Sequence, residues 1–201
     1  MTEFGAVVRR RRMTRSFTDE AVPAALLDDL VDLASRAPSA GKTQGWHLVV
    51  LEDAQTERFW RHAFPVPGRE GFTWPGLFTA PVIALAFADP AAYVARYAEP
   101  DKIRTGLGLG VEAWPTPYWT IDASMAVMTL LLAAEDAGLG ALFFAVFRGE
   151  LEVRADLGIP SNLQLLGAIA LGWPDESDAQ GGTSALRARR DPAGIVHLGG
   201  W

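Results

Sequence analysis

The sequence contains no cysteine and only three histidines. The absence of cysteine excludes disulfide bonds, thiolate metal ligands and a cysteine nucleophile, and it fits a reducing cytoplasm. His47, His62 and His197 show no spacing typical of metal ligands, so we expect no zinc site. The catalytic classes that depend on thiol or histidine-ligated metal chemistry are therefore disfavoured.

The sequence also lacks a long hydrophobic run. The most apolar stretch, residues 121–134, contains Asp122 and falls short of the ~20 residues that a membrane helix needs. In residues 1–15 the basic residues follow the apolar ones, which is the reverse of a signal peptide. We therefore expect a cytoplasmic protein with no membrane partner.

What is present is typical of one globular domain. The chain has 201 residues, of which 49% are apolar and 21% charged. This length is enough to bury a substantial core. No repeat, low-complexity segment or linker divides the sequence, so residues 1–201 are predicted to form a single domain.

Positive charge is concentrated near the two ends of an acidic chain. Residues 1–15 carry a net charge of +4 and residues 187–190 carry +3, whereas the whole chain is −6. Guanidinium groups match a phosphate dianion in geometry and charge, so a phosphate that joins the two clusters would explain them. The alternative is a solvated helix end and a basic tail. A nucleic-acid partner is not expected, because the remaining residues are acidic.

Hydrophobic periodicity predicts alternating helices and strands. Residues 118–137 are apolar on nearly all sides, which indicates a central helix that ends at Gly138. The other predicted helices are residues 2–12 with Thr2 as cap, 23–37, 53–63 and 149–157. The predicted strands are residues 46–51, 81–87, 141–147 and 164–171, and residues 64–81 and 99–117 are predicted loops.

Two apparent motifs do not support a function. Residues 37–41, APSAG, resemble a nucleophile elbow that His197 could complete as an esterase triad. However, Ser39 follows a predicted helix and precedes a strand, which is the reverse of the order that the elbow requires. The glycines between Gly106 and Gly110 follow no strand and have the wrong spacing for a dinucleotide fingerprint.

Four segments together resemble the FMN-dependent nitroreductase superfamily. RRMTRSF at residues 11–17 is similar to its R-R-S-x-R-x-F signature, and APSAGKTQGW at residues 37–46 to its A-P-S-x-x-N-x-Q-P-W segment. GLGALFF at residues 138–144 matches the element after the central helix, and residues 187–190 stand where the family has a C-terminal basic pair. All four occur in family order and at family spacing.

The resemblance implies an α+β fold with a mainly antiparallel central sheet covered by helices. It also implies a homodimer with two active sites at the subunit interface and the long central helix in that interface. The cofactor would be FMN, with NADH or NADPH as electron donor. Hydride transfer through flavin N5, in a ping-pong cycle, would reduce a small acceptor such as a nitroaromatic or a quinone.

The resemblance further assigns roles to individual residues. Arg11 and Arg12, with Arg187 and Arg189 or Arg190, would hold the flavin phosphate, and Met13 would offer its backbone N–H on the ribityl or phosphate side. Arg15 would lie near the pyrimidine edge of the flavin, and backbone groups near Phe144 and Ala145 would reach its N5/O4 edge. Pro38, Ser39 and Ala40 would come from the other subunit. Trp114, Tyr118 and Trp119 would stack on a flat substrate or nicotinamide, with core packing as the alternative, above all for Trp119.

The sequence departs from the family pattern at three positions. Met13 replaces a serine, Lys42 an asparagine and Gly45 a proline. No catalytic acid or base is expected, because the flavin carries the chemistry. Two alternatives remain open: an FMN-dependent oxidase or dehydrogenase of a small or peptide-derived metabolite that uses oxygen, and a non-catalytic flavin-binding or storage protein.

Overall fold

The computed structural model describes residues 3–175 and 183–201. Seven α-helices and four strands lie in this part of the chain. The helices are α1 Phe4–Arg10, α2 Ala24–Ser35, α3 Thr56–Ala63, α4 Val66–Arg69, α5 Pro90–Tyr97, α6 Tyr118–Asp136 and α7 Glu150–Leu157. The strands are β1 Trp46–Glu52, β2 Val82–Ala88, β3 Gly140–Phe144 and β4 Gln164–Gly172. The proposed cap Thr2 lies outside the described residues.

The four strands form one antiparallel sheet in the order β1-β2-β4-β3. Every residue of β2 is buried, and β4 is buried over its last six residues. Strands covered on both faces read as continuous apolar runs rather than as alternating patterns, which is why these two were recognisable in the sequence. The predicted α+β fold, with an antiparallel sheet covered by helices, is confirmed.

Helices cover both faces of the sheet. On one face, α3 and α7 pack over a core rich in large aromatic side chains, among them Phe17, Phe59 and Trp60. On the other face, α2 and α6 pack over smaller aliphatic residues. The aromatic face is the one that contributes the walls of the cavity described below.

The long helix α6 occupies residues 118–136, as predicted, and Gly138 follows it with a left-handed backbone (φ +81°). Its inner side is buried against the sheet, whereas Ile121 and Met128 remain exposed in the single chain. No helix among the described residues is long and apolar enough to cross a membrane.

A local irregularity brings the end of β3 close to β4. The pairing of β2 with β4 shifts register between Ala86 and Phe87, and Gly167 on β4 has φ +154°. A Cβ atom at Gly167 would lie 2.6 Å from the carbonyl oxygen of Phe144 and 2.8 Å from the ring of Phe143. Only glycine therefore permits this approach.

The structure differs from the sequence-based expectations in three places. Helix α5 was not predicted; Asp89 caps it by accepting hydrogen bonds from the backbone N–H groups of Ala91 and Ala92. The strand predicted for residues 141–147 ends at Phe144. The predicted loop 64–81 contains α4 and a 3₁₀ turn at Pro75–Thr79, while residues 99–117 form a loop with three short 3₁₀ turns.

Candidate functional site

The signature segment, residues 11–17, runs along the free edge of β3. Met13 forms a parallel bridge with Ala141, and the backbone N–H of Thr14 donates to the Ala141 carbonyl at 3.0 Å. Phe17 is buried in the aromatic core, and its N–H donates to the Gly76 carbonyl at 3.1 Å. The segment is therefore fixed at both ends, with Arg15 between them.

Arg15 is held on both sides by neighbours of its own chain. Its guanidinium Nη1 donates to the Met13 carbonyl at 3.1 Å, and its Cζ lies 5.0 Å from the centre of the Trp74 ring. A cation over an indole face is an attractive arrangement that also limits the rotamers of the arginine. The charge of Arg15 thus has a defined position.

Arg15, Phe144 and Ala145, three residues that the sequence assigned to the flavin, line the same cavity. Its volume is about 740 Å³, and most of its wall is apolar. Small-molecule sites of this kind are concave and apolar with a few polar groups. Further walls come from side chains that the sequence analysis did not single out, Trp60, Phe64, Phe72 and Trp74.

Stacked rings stiffen the floor of this cavity. The rings of Trp60 and Phe144 are nearly parallel, with an interplanar angle of 4° and centroids 5.9 Å apart. Phe59 packs edge-on against Trp60 at 4.9 Å. The indole Nε1 of Trp60 is buried and has no hydrogen-bond partner among the described residues. The rings after α3, Phe64, Phe72 and Trp74, belong to the stretch 64–81, whose prolines and glycines predict a loop rather than a cavity wall.

The arginines assigned to the phosphate are available for an anion. Arg11 is half-buried and Arg12 exposed, as are Arg187, Arg189 and Arg190. Within residues 3–175 and 183–201 none of these five makes an ion pair with a carboxylate, although Arg190 donates to the Gly194 carbonyl. By contrast, the neighbouring Arg10 pairs with Glu135 at 2.6 Å.

Pro38, Ser39 and Ala40 lie apart from the Arg15 cavity of their own chain. Pro38 and Ser39 line a separate surface concavity of about 420 Å³, together with Lys42. The Ser39 hydroxyl accepts a hydrogen bond from the Gln44 N–H at 2.8 Å. Residues 38–40 therefore do not line the cavity that contains Arg15 in this chain.

A sequence model of the nitroreductase family matches residues 8–173. The chain belongs to the nitroreductase family. It is similar to an NADH dehydrogenase of Thermus thermophilus, at 32% identity in an alignment of 183 positions that covers 83% of this chain and 84% of that protein. It is also similar to a 4-nitrobenzoate reductase of a Nocardioides species, at 30% identity in an alignment of 217 positions that covers 94% of this chain and 86% of that protein.

Solved structures agree with this family. A nitroreductase-like protein of Streptococcus mutans superposes with a TM-score of 0.76 over 98% of both chains at 19% identity. This likeness concerns the fold. The family match and the two relatives identify the chain as an oxidoreductase of the nitroreductase family. No group of three or more metal-ligating side chains occurs in the part of the chain that the structure describes.

In this member of the nitroreductase family, the three aromatic residues assigned to substrate stacking lie in one cluster. Trp114 is only 8% exposed, packs edge-on against Tyr97 at 4.7 Å, and donates its Nε1–H to the Leu107 carbonyl. Trp119 donates to the side-chain oxygen of Gln164 at 3.0 Å. Tyr118 is 43% exposed. Trp114 therefore anchors the 99–117 loop, and Tyr118 is the most exposed of the three. None of the three lines the Arg15 cavity.

A buried polar network connects this cluster to residues 39 and 40. Asp122 on α6 accepts hydrogen bonds from the Tyr93 hydroxyl at 2.8 Å and from the Ala40 N–H at 2.7 Å. Burial, together with the adjacent Asp122 carboxylate, raises the pKa of Tyr93 well above its ordinary value. The hydroxyl therefore remains a donor at every physiological pH. Sequence analysis missed this network entirely.

Two of the three departures from the family pattern have distinct environments. The side chain of Met13 is partly buried and packs against both cores of the sheet. At position 13, an apolar side chain that packs in the core therefore replaces the serine of the family. The Met13 carbonyl accepts the hydrogen bond that fixes Arg15. Lys42 is exposed, has a left-handed backbone (φ +55°) and forms no ion pair with the described residues.

Proposed function

We propose that this nitroreductase-family protein is an FMN-dependent oxidoreductase. It would take a hydride from NADH or NADPH and deliver it to a small aromatic acceptor such as a nitroaromatic or a quinone. The observation that carries the proposal is that Arg15, Phe144 and Ala145 line one and the same aromatic-walled cavity. The relatives named NADH dehydrogenase and 4-nitrobenzoate reductase support the same reaction class.

The residues present fit the flat part of FMN. The cavity has nearly parallel aromatic rings at its floor, and its volume lies within the range of about 300–1,000 Å³ for small-molecule sites. Bound FMN supplies the hydride-transfer chemistry. The charged Arg15 lines the same cavity, and a fixed cation there would stabilise negative charge on an electron-rich ring.

The protein's own contribution is position and electrostatics. The Met13 carbonyl and the Trp74 ring fix the guanidinium of Arg15, so its field does not need to reorganise during the reaction. The apolar wall excludes water from the reacting face. The cavity lining has no carboxylate and no histidine among the described residues, which supports a reaction without a side-chain acid or base.

The phosphate would be held by the unpaired arginines of the two chain ends. Arg11 and Arg12 begin the signature segment that carries Arg15, and they directly precede Met13, which bridges to Ala141 of β3. Arg187, with Arg189 or Arg190, would complete the phosphate site. Guanidinium–phosphate contacts are charge-assisted and often bidentate, and they are stronger than neutral hydrogen bonds.

The complete site requires two subunits in this proposal. Pro38, Ser39 and Ala40 do not line the cavity of their own chain, so they would reach the flavin held by the other protomer. Apolar side chains on the outer surface of the single chain provide a face for such a contact: Phe4, Val8, Ile121 and Met128 are all exposed. An unpartnered apolar surface of this kind is typical of a subunit interface.

The first test is the cofactor. The purified protein should be yellow and should release FMN, identified by mass. Anaerobic addition of NADH or NADPH should bleach the absorbance, and a nitroaromatic or a quinone should restore it. Release of FAD, or no flavin after reconstitution, would overturn the assignment. A flavin that neither nucleotide reduces would favour the storage protein, and reduction by a metabolite with reoxidation by oxygen would favour the oxidase.

A further inference from the structure

Asp122 is a buried carboxylate inside an otherwise apolar part of α6. It is 5% exposed, and the same oxygen, Oδ2, accepts the hydrogen bonds from Ala40 and Tyr93. A carboxylate so far from water is tolerated only where donors satisfy it. Asp122 therefore joins three elements that are distant in sequence: α6, α5 and the segment that follows α2.

The segment that Asp122 anchors is strained. Gly41, Lys42 and Gln44 all have left-handed backbones, with φ of +63°, +55° and +53°. Such conformations persist at non-glycine residues only where the surroundings determine them. Two further contacts hold the segment: Arg96 donates to the Gly41 carbonyl at 2.9 Å, and the Gln44 side chain donates to the Ser35 carbonyl. Of these three anchors, Asp122 binds the residue next to Ser39 in the sequence, Ala40.

Tyr93 connects the same carboxylate to the aromatic cluster. Its ring packs edge-on against Trp114 with centroids 5.8 Å apart, and its hydroxyl lies 3.5 Å from the Ser39 hydroxyl. Trp114 in turn is bonded to Leu107 in the 99–117 loop. A displacement of Tyr93 would therefore change its contacts both with Trp114 of the 99–117 loop and with Ser39 of the 38–40 segment.

We propose that Asp122, acting with Tyr93, is a positioning residue for the flavin site of the opposite subunit. It fixes Ser39 and Ala40 in the conformation that reaches across the interface, and it couples that conformation to the loop that carries Trp114. The inference rests on the proposed function. Asp122 does not line the Arg15 cavity, so its effect is exerted through the segment it holds.

The test compares Asp122→Asn with Asp136→Asn in the FMN-loaded protein. Asp136 is an exposed residue at the end of the same helix, with no ion pair among the described residues, so its variant is a charge-matched control. In Asp122→Asn we expect the Ala40 amide to exchange with deuterium at least about tenfold faster and the Kd for FMN to rise at least about tenfold. The visible circular dichroism of the bound flavin should change as well.

The control variant should leave all three measurements unchanged, and the amide of Ala126 should keep its protection in both variants. A second variant, Tyr93→Phe, keeps the carboxylate and the Ala40 bond and removes one donor. It should raise the Kd for FMN by about threefold, and it carries the test if Asp122→Asn does not fold. An unchanged Kd in the folded variants would overturn the proposal.

The two proposals can fail separately. If the wild-type protein binds no FMN, the proposed function is wrong, whatever Asp122 does. If the wild type binds FMN and is reduced by NADH or NADPH, but Asp122→Asn has the same Kd and flavin spectrum, only the positioning role is wrong. If Asp122→Asn lowers the melting temperature of the apoprotein but leaves the Kd for FMN unchanged, the role of Asp122 is only structural and the positioning proposal is likewise wrong.

Discussion

The ring of Tyr93 lies directly against Gly45, so closely that a Cβ atom on the glycine would be 2.8 Å from Cε2 of the tyrosine. The Cβ of Ala92 and the carbonyl of Asp89 would be at 3.1 and 3.2 Å. This packing explains why glycine stands where the family segment has proline. The space that the proline ring would need is filled by the tyrosine that bonds to Asp122.

We therefore expect Gly45→Ala to lower the free energy of unfolding by about 1–3 kcal/mol, the usual cost of overpacking a filled site. Urea denaturation measures the change. Gly68→Ala is the matched control, because a Cβ there would meet its nearest neighbour at an ordinary 3.6 Å. Equal stability of the two variants would show that Tyr93 can move aside.

Removal of one arginine from each terminal cluster should release the cofactor without unfolding the protein. Each charge-assisted hydrogen bond is worth roughly 1.5–3 kcal/mol, so Arg12→Gln combined with Arg189→Gln should raise the Kd for FMN at least about 100-fold. Fluorescence titration with FMN measures the Kd. Arg104→Gln, an exposed arginine without an ion pair among the described residues, is the control. Unchanged flavin occupancy in the double variant would mean that these arginines merely face solvent.

FMN binding and dimerisation should be coupled if residues 38–40 complete the site of the other subunit. A ligand at 100 times its Kd stabilises the state that binds it by about 2.7 kcal/mol, so FMN should raise the melting temperature and tighten the dimer together. Light scattering over a dilution series, with and without FMN, measures the second effect. A monomer with full flavin occupancy would contradict the interface site.

Stability at low pH should depend on Asp156, which joins α7 to α3. Burial raises the pKa of this carboxyl, but hydrogen bonds from Arg61 (2.9 Å) and Arg58 (3.2 Å) outweigh it and leave the pKa below its ordinary value. The stabilisation is present above the unfolded-state pKa of about 3.9 and is lost as the pH falls below it.

Asp156→Asn should therefore melt at a lower temperature than the wild type at pH 7, and the difference should shrink as the pH falls below about 4. Melting curves between pH 7 and pH 3 measure it. Asp136→Asn should follow the wild type throughout. A constant difference between Asp156→Asn and the wild type at every pH would show that the contribution is not electrostatic.

Much of the fold could be predicted from the sequence because its strongest signals are local. The buried strands β2 and β4 appear as apolar runs, and α6 appears as an apolar helix with a glycine after it. Helix α5 left a signal that was overlooked, an aspartate cap followed by proline in the first turn. The end of β3 at Phe144 lies against Gly167 on another strand, and local patterns do not report such a contact.

The site was predictable only where motif and local geometry coincide. The segment around Arg15 carries a family signature and is fixed by its own backbone bonds, so the sequence could single it out. Its role at a flavin stays a prediction. The bond from Ala40 to Asp122 joins residues 82 positions apart, and no spacing rule reports such a contact. The aromatic cavity wall was missed for a similar reason, because its rings converge only after α3 and the following turns have folded.

Gly167 has a consequence for how this enzyme family member can change. This glycine leaves room for the Phe144 carbonyl and the Phe143 ring, and both phenylalanines line the cavity. Substitution of Gly167, Phe143 or Phe144 would therefore change the stability of the fold as well as the range of ligands. Phe64, Phe72 and Trp74 also line the cavity, but they lie outside the sheet, in the segments around α4 and before the Pro75–Thr79 turn. New specificity should evolve there first, and a mutant library aimed at a new acceptor should be confined to those residues.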